Sequence, residues 1–300
     1  MENLVELLRA AIRLTTPLLL AALGGAYMQV SGVPNVGMEG MMLIAALGGY
    51  IASFTTGSWV AGLVFGVLAA VVVGLVYAYF SLSLRADIFA IGITLNILMG
   101  GVAAYIIRRY YDQLSVLRSP DAQLLPELSF RALEGNPTLN SLLNGYSILV
   151  PASFLLVAVT YVVFYKTPFG FWLRAAGHNP LALSSAGKSV AGIRLAAFVI
   201  SAAFCGLAGV HLSLGYLGMF ALTLVAGRGF VALAIVLFGG GNPTTVLISS
   251  LIFGLADAAS LRIPTELIPP QFPLMLPYVL TILAITLMSR FARSFVTSEQ

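Results

Sequence analysis

The chain contains 300 residues, 59% of them hydrophobic and 9% charged, with a mean hydropathy of +0.99 and a formal net charge of +4. Such a composition excludes an ordinary water-soluble domain, and the unbroken apolar runs exclude a β-barrel, whose strands alternate apolar and polar positions over about ten residues. Because the cations flank the apolar runs, membrane topology accounts for the basic balance without a nucleic-acid partner.

At the start, Glu2, Glu6, Arg9 and Arg13 share one helical face, with Leu4, Val5, Leu8 and Ile12 elsewhere, which predicts a short interfacial helix over 2–13. Glu2 and Glu6 stand where a cleavable signal would carry its basic region, so no such signal is expected. Apolar runs then predict spans at 14–30, 39–54, 59–84, 88–107, 147–165, 195–217, 226–240, 245–260 and 273–289, judged against the roughly 20 residues a crossing needs. Two of them, 39–54 and 226–240, are too short. They open on Glu39-Gly40 and Arg228-Gly229 and close on Gly48-Gly49 and Gly239-Gly240-Gly241. Short, glycine-interrupted segments at corresponding places point to two pseudo-repeated halves with broken helices around a pathway. The expected fold is an all-α polytopic bundle of about eight to ten spans, one domain over 1–300.

The segment 30–37 breaks the helix around Pro34, leaving backbone groups that protein or a hydrated cavity must satisfy. Asn35, with Thr94 and Asn96 on the fourth span, offers uncharged hydrogen-bonding groups to a polar, neutral solute or, as readily, to neighbouring helices. Glu39 and Arg228 are charges near membrane depth, so each needs a partner, a helix end or water. A helix dipole favours Glu39 at an N-terminus and disfavours Arg228 there, leaving Arg228 to snorkel or to meet solute or a binding protein. Asp257 reads as an interface or capping residue, and Ala202, Cys205, Gly206 and Gly209 as a close-packing face.

The loop 108–146 balances Arg108, Arg109, Arg118 and Arg131 against Asp112, Asp121, Glu127 and Glu134, as an external loop can. The segment 166–194 carries Lys166, Arg174, Lys188 and Arg194 with no acid, the mark of a cytoplasmic loop. Counting forward puts Arg290 and Arg293 inside as well, and counting back puts the N-terminus outside unless 39–54 is re-entrant. Within 166–194, residues 174–182 predict a turn and a short exposed helix, suited to receive force from another protein. Ala186-Gly187-Lys188-Ser189 ends like a phosphate-binding loop, but Ala182 replaces the required glycine and no strand precedes it, so the chain is not expected to hydrolyse ATP. His178 and His211 lack companions at ligand spacing, so no metal site and no cofactor is expected. His178 is read as capping or packing the cytoplasmic helix, and His211 as packing or pore-lining.

Thr16-Pro17-Leu18-Leu19-Leu20-Ala21-Ala22-Leu23-Gly24 and Ser31-Gly32-Val33-Pro34-Asn35-Val36-Gly37-Met38-Glu39-Gly40-Met41-Met42-Leu43 resemble the opening of permease subunits of ABC importers for nucleosides and simple sugars, relatives of the branched-chain amino acid and ribose permeases. Leu84-Arg85-Ala86-Asp87 before Thr94-Leu95-Asn96 is similar to the next family block, and Arg174-Ala175-Ala176-Gly177-His178-Asn179-Pro180 through Gly209 to the coupling loop and following span. The resemblance implies an inner-membrane importer of a prokaryote in which two permeases, identical or related, enclose a pathway, two cytoplasmic ATPases supply energy, and an extracellular binding protein delivers solute. It further implies that Arg174, Gly177, His178, Asn179, Pro180, Ala182, Leu183, Ser185 and Gly187 form the ATPase coupling region, and that the contact is more apolar than usual where His178, Leu181 and Leu183 replace acidic or small residues. Asn35, Glu39, Thr94, Asn96 and Arg228 are the expected pathway residues. Sugar or branched-chain amino acid cargo are alternatives. An ion-coupled transporter would need carboxylates such as Glu39 and Asp257, and an intramembrane enzyme would need convergent catalytic groups that the scattered histidines and cysteine do not supply.

Overall fold

A computed structural model describes residues 2–128 and 144–262. The first helix, α1 (Glu2–Val30), runs unbroken through Pro17, so the expected interfacial helix and first span are one element of about 43 Å. Its charged first turns are held by the chain itself: Arg9 and Arg13 donate to the carbonyls of Asn144 (3.0 Å) and Gly145 (2.7 Å) and sit over the Tyr146 ring. Around Pro17, which offers no N–H, Thr15 and Thr16 turn their hydroxyls back to the carbonyls of Ala11 and Ile12.

An extended stretch leads to α2 (Met38–Thr56), whose 19 residues meet the length for a crossing and correct the expectation that 39–54 is too short. Next come α3 (Trp59–Ala78), ending in a π-helical turn at Tyr79–Ser83, and α4 (Ile88–Tyr111), capped by Asp87 on the Ala90 N–H. Beyond it lie α5 (Leu149–Lys166), α6 (Pro168–His178), α7 (Pro180–Ser185) and α8 (Val190–Val210), which continues as a π-helix over His211–Leu217. The described part closes with α9 (Arg228–Gly239) and α10 (Pro243–Ser260). Among the described residues seven helices are long and apolar enough to cross a membrane, and α9, at 12 residues, is the short apolar one. The expected span 273–289, with Arg290 and Arg293, lies outside the described residues, as do Arg131 and Glu134.

Two small antiparallel pairings brace one face. β1 (Val116–Leu117) pairs with β4 (Phe220–Ala221), and β2 (Glu127–Leu128) with β3 (Tyr146–Ser147). Below them α1, α2 and α8 form the centre: 67% of the apolar stretch of α1 is buried, against 22% of that of α4 on the outside. The small residues of α8 permit this. Gly206 approaches the backbone of α3 at Val67, and a side chain at Gly209 would strike the Met42 carbonyl of α2. Cys205 beside them is fully buried.

The two faces are chemically distinct. Val30 and Gly32 at the end of α1 touch Gly177 of α6, and the α9–α10 turn at Gly241 rests on Val30, so these ends share the face that carries Lys166, Arg174, Lys188 and Arg194. The start of α1 and the end of α10 lie at the other, where Arg262 pairs with Glu6 at 3.5 Å.

Candidate functional site

Two helices begin inside the bundle and run apart. α9 reaches the basic face about 18 Å away and α2 rises about 28 Å toward the other, at 1.5 Å per residue, so their shared starting point lies within the roughly 30 Å of a hydrocarbon core. Glu39, in the first turn of α2, spans the gap. One carboxylate oxygen accepts from the Gly227 N–H (2.8 Å) and the other from the Gly229 N–H (2.7 Å). The anion thus satisfies two amides at the opening of α9 that have no carbonyl within their own helix. Gly227 is left-handed (φ 80°), and a Cβ at Gly229 would come within 2.5 Å of the Glu39 nitrogen. Glycine at 229 is what lets the two helix starts touch.

The other expected pathway residues divide. Asn35, 1% exposed, donates to Ser201 Oγ (2.8 Å) and accepts from the Gly37 N–H, which holds the break before α2 against α8. Asn96 accepts from the Gly40 N–H (2.8 Å) and donates to the Val36 carbonyl (2.9 Å), so α4 grips the same break from the other side. Thr94 joins neither. Its exposed hydroxyl returns to the Ala90 carbonyl one turn back. Arg228 donates to the Leu224 carbonyl (3.0 Å) and faces Asp257 at 3.7 Å, with side-chain exposures of 22% and 19%. Asp257 is therefore the partner that makes a cation tolerable at a helix start, a pairing between distant segments that spacing does not reveal. His211 is buried with Nδ1 3.1 Å from Ser147 Oγ, beside β3, which favours packing over the pore.

On the basic face, Thr167 caps α6 by accepting from the Gly170 N–H, and Asn179 caps α7 by accepting from the Ala182 N–H, each followed by proline at the first helical position. The turn falls at Asn179, so Arg174, Gly177 and His178 belong to a helix that starts earlier than the sequence suggests. Gly177 lies directly under the Val30 carbonyl with no room for a side chain. Arg194 clamps that contact, its Nε donating to the Ser31 carbonyl and its Nη2 to that of Ala176, both at 3.2 Å. Arg174 donates to the Phe164 carbonyl and stacks over Tyr165, while Lys188 sits 4.3 Å from the Trp172 ring centre. Pro180 is half-buried, while His178, Asn179, Ala182, Ser185 and Gly187 are exposed. Leu183 does not present its side chain to that face: it is 4% exposed, packed into the core, whereas Leu181 is 79% exposed. Gln29, Gly32, Arg174, Gly177, His178 and Asn242 line a cleft of about 310 Å³ at the same place.

Broken helices meeting at mid-depth beneath a basic surface of short helices define a multi-pass membrane transport subunit. The chain matches the family described as branched-chain amino acid transport system / permease component over residues 7–285, and it belongs to that family. It is 32% identical to the guanosine ABC transporter permease protein NupQ of Bacillus subtilis, over 92% of this chain and 90% of the relative. It is 29% identical to the nucleoside ABC transporter permease protein NupC of Lactococcus lactis, over 91% and 89%. The glucose ABC transporter permease protein TsgB13 of Haloferax volcanii is 31% identical, over 84% and 68%. A solved structure described as a metal-chelate type ABC transporter, in an inward-facing conformation, shares the fold at a TM-score of 0.53 and 15% identity, over 93% of this chain and 84% of that one.

Proposed function

We propose that this chain is the permease subunit of a prokaryotic inner-membrane ABC importer that carries nucleosides by alternating access, powered by separate ATPases. The meeting of α2 and α9 at Glu39 carries the transport reading: it places irregular backbone and three charges, Glu39, Arg228 and Asp257, where only protein or water can receive them. The likeness to guanosine and nucleoside permeases supports the cargo class. The whole chain acts as one transmembrane unit. Its 166–194 segment is the coupling loop, on which an ATPase seats around α7 and Leu181; a second permease, this chain or a related one, closes the pathway, and an extracellular binding protein loads it. The two ligand-independent states differ in affinity for ATP-bound partner, which is what lets ATP shift the balance between them.

Proteoliposomes containing the permeases, ATPase and binding protein should accumulate guanosine only with internal ATP, and this chain alone should not. Accumulation by the chain alone overturns the reading. The 31% identity to a glucose permease makes sugar the second cargo: saturable glucose uptake with no guanosine uptake replaces nucleoside by sugar.

A further inference from the structure

From the cleft where α1, α5, α6 and the α9–α10 turn meet, we infer that the chain holds the headgroup of an anionic phospholipid, with the phosphate on Arg174 and a headgroup hydroxyl on Gln29. The inference needs only a chain that spans the membrane and is independent of the cargo. The cleft, of about 310 Å³, lies where two spans give out: Val30 ends α1, and Phe164 and Tyr165 stand in the last turn of α5. That is the level of lipid headgroups. Its polar lining is built to receive an anion. Arg174 gives one nitrogen to the Phe164 carbonyl and lays its guanidinium over Tyr165, Cζ 5.2 Å from the ring centre, and a guanidinium has five N–H groups to give. Asn242 uses its side-chain oxygen to cap α10 at Thr244, which leaves its NH2 as a donor, and His178 is exposed at the rim. Among the described residues no carboxylate lines the cleft and no ion pair reaches Arg174. Gln29 has the opposite need: its amide oxygen is buried and has no partner among the described residues. A phosphate diester that carries a hydroxyl a few bonds away answers both.

An apolar continuation selects a lipid over free phosphate. Tyr165, which lines the cleft, pairs with Tyr161 one turn nearer the bilayer centre, their ring centres 4.9 Å apart. Tyr165, Tyr161 and Ala158 are all exposed and, at spacings of four and three residues, share one helical face. They belong to a span whose apolar stretch is only 33% buried. On α6, Phe171 (63% exposed) precedes Arg174 and His178 on one face, so that face turns from apolar to basic along its length. Interfacial tyrosines beside an arginine seat a headgroup whose chains run down the helix, and basic pockets between spans are where such headgroups bind.

The test uses the purified complex, taken as a monodisperse peak from an equimolar mixture of phosphatidylglycerol and phosphatidylcholine, with the retained lipid weighed by native mass spectrometry. Phosphatidylglycerol should be enriched about fivefold, the scale of one interfacial cation meeting anionic lipid. Arg174→Gln should abolish the enrichment. So should Asn242→Asp, which keeps the α10 cap, since aspartate caps as well as asparagine, and places a carboxylate in the cleft. Lys188→Gln, at a cation of the same face that does not line the cleft, should retain it. Gln29→Leu should lower it about twofold; an unchanged value there overturns the hydroxyl contact. Enrichment that survives both Arg174→Gln and Asn242→Asp overturns the site, and equal loss in Lys188→Gln overturns it in favour of the diffuse charge of the face. Displacement of the lipid by millimolar inorganic phosphate overturns the lipid in favour of a free anion. Enrichment on this chain alone that vanishes in the assembled complex gives the cleft to an acidic residue of a partner protein and overturns the lipid there.

Discussion

The joint between α2 and α9 and the basic face around α6 and α7 handle charge in opposite ways. At the joint each ionised group is matched inside the chain: both Glu39 oxygens by α9 amides, Arg228 by Asp257 and a carbonyl. On the basic face, Arg174, Lys188 and Arg194 rest on aromatic rings and backbone carbonyls, and among the described residues no carboxylate pairs with them. Buried charge unmatched in hydrocarbon is costly, so the joint is closed on itself. Exposed charge in water is cheap to leave open. The centre is thus self-contained, while the rim keeps its charge available to solvent.

The sharpest break in that contrast comes from Glu39→Ala, which strands two amides at mid-depth. Hydrogen bonds to a charged group contribute about 1.5–3 kcal/mol each, so guanosine uptake should drop by about a hundredfold or more, and spin labels on α2 and α9 should show the helix starts separating. Glu39→Gln keeps an acceptor and should fall between this and the native protein. If Glu39→Ala transports normally, the joint is not held by this carboxylate.

At the rim, Leu181→Asp and Leu183→Asp separate surface from core. Leu183→Asp buries a charge and should lower the yield of folded chain, measured by size-exclusion in detergent; Leu183→Ala alone should cost about 2–5 kcal/mol. Leu181→Asp should leave folding intact and cut ATPase co-purification about tenfold. Equal yields for the two aspartate variants would contradict their placement. Arg194→Gln removes two charge-assisted bonds and should lower transport severalfold while ATP hydrolysis persists, a coupling defect seen as more ATP consumed per guanosine. Thr94→Ala should be nearly silent in uptake, because its hydroxyl serves its own helix.

The contrast also separates what could be read from the chain from what could not. Apolar runs are local and long, so the helices and the shortness of α9 were legible, as was the basic 166–194 segment. The merger of 2–13 with the first span was not, because Arg9 and Arg13 find acceptors at Asn144 and Gly145, more than a hundred residues away. Asn35, Glu39 and Asn96 stood out as polar residues at depth, but their partners Ser201, Gly227, Gly229 and Gly40 are one serine hydroxyl and three glycine amides with no compositional signal. Backbone donors are invisible to any reading of side chains. Leu181 and Leu183 could not be ranked until a six-residue helix fixed which one turns inward.

The grip on both ends of α1 has a mechanical consequence. Its first turns are fastened to the segment entering α5, and its last residues are wedged against Gly177 and clamped by Arg194. A rod pinned this way links α6 to the far rim of the bundle, and on the way it touches both α2 and α9, since Gly25 lies against Met38 and Val236. Pro17, midway along it, and the Gly24-Gly25 pair beyond are its built-in points of compliance, so the stiffness of these turns governs how rigidly the two ends are joined.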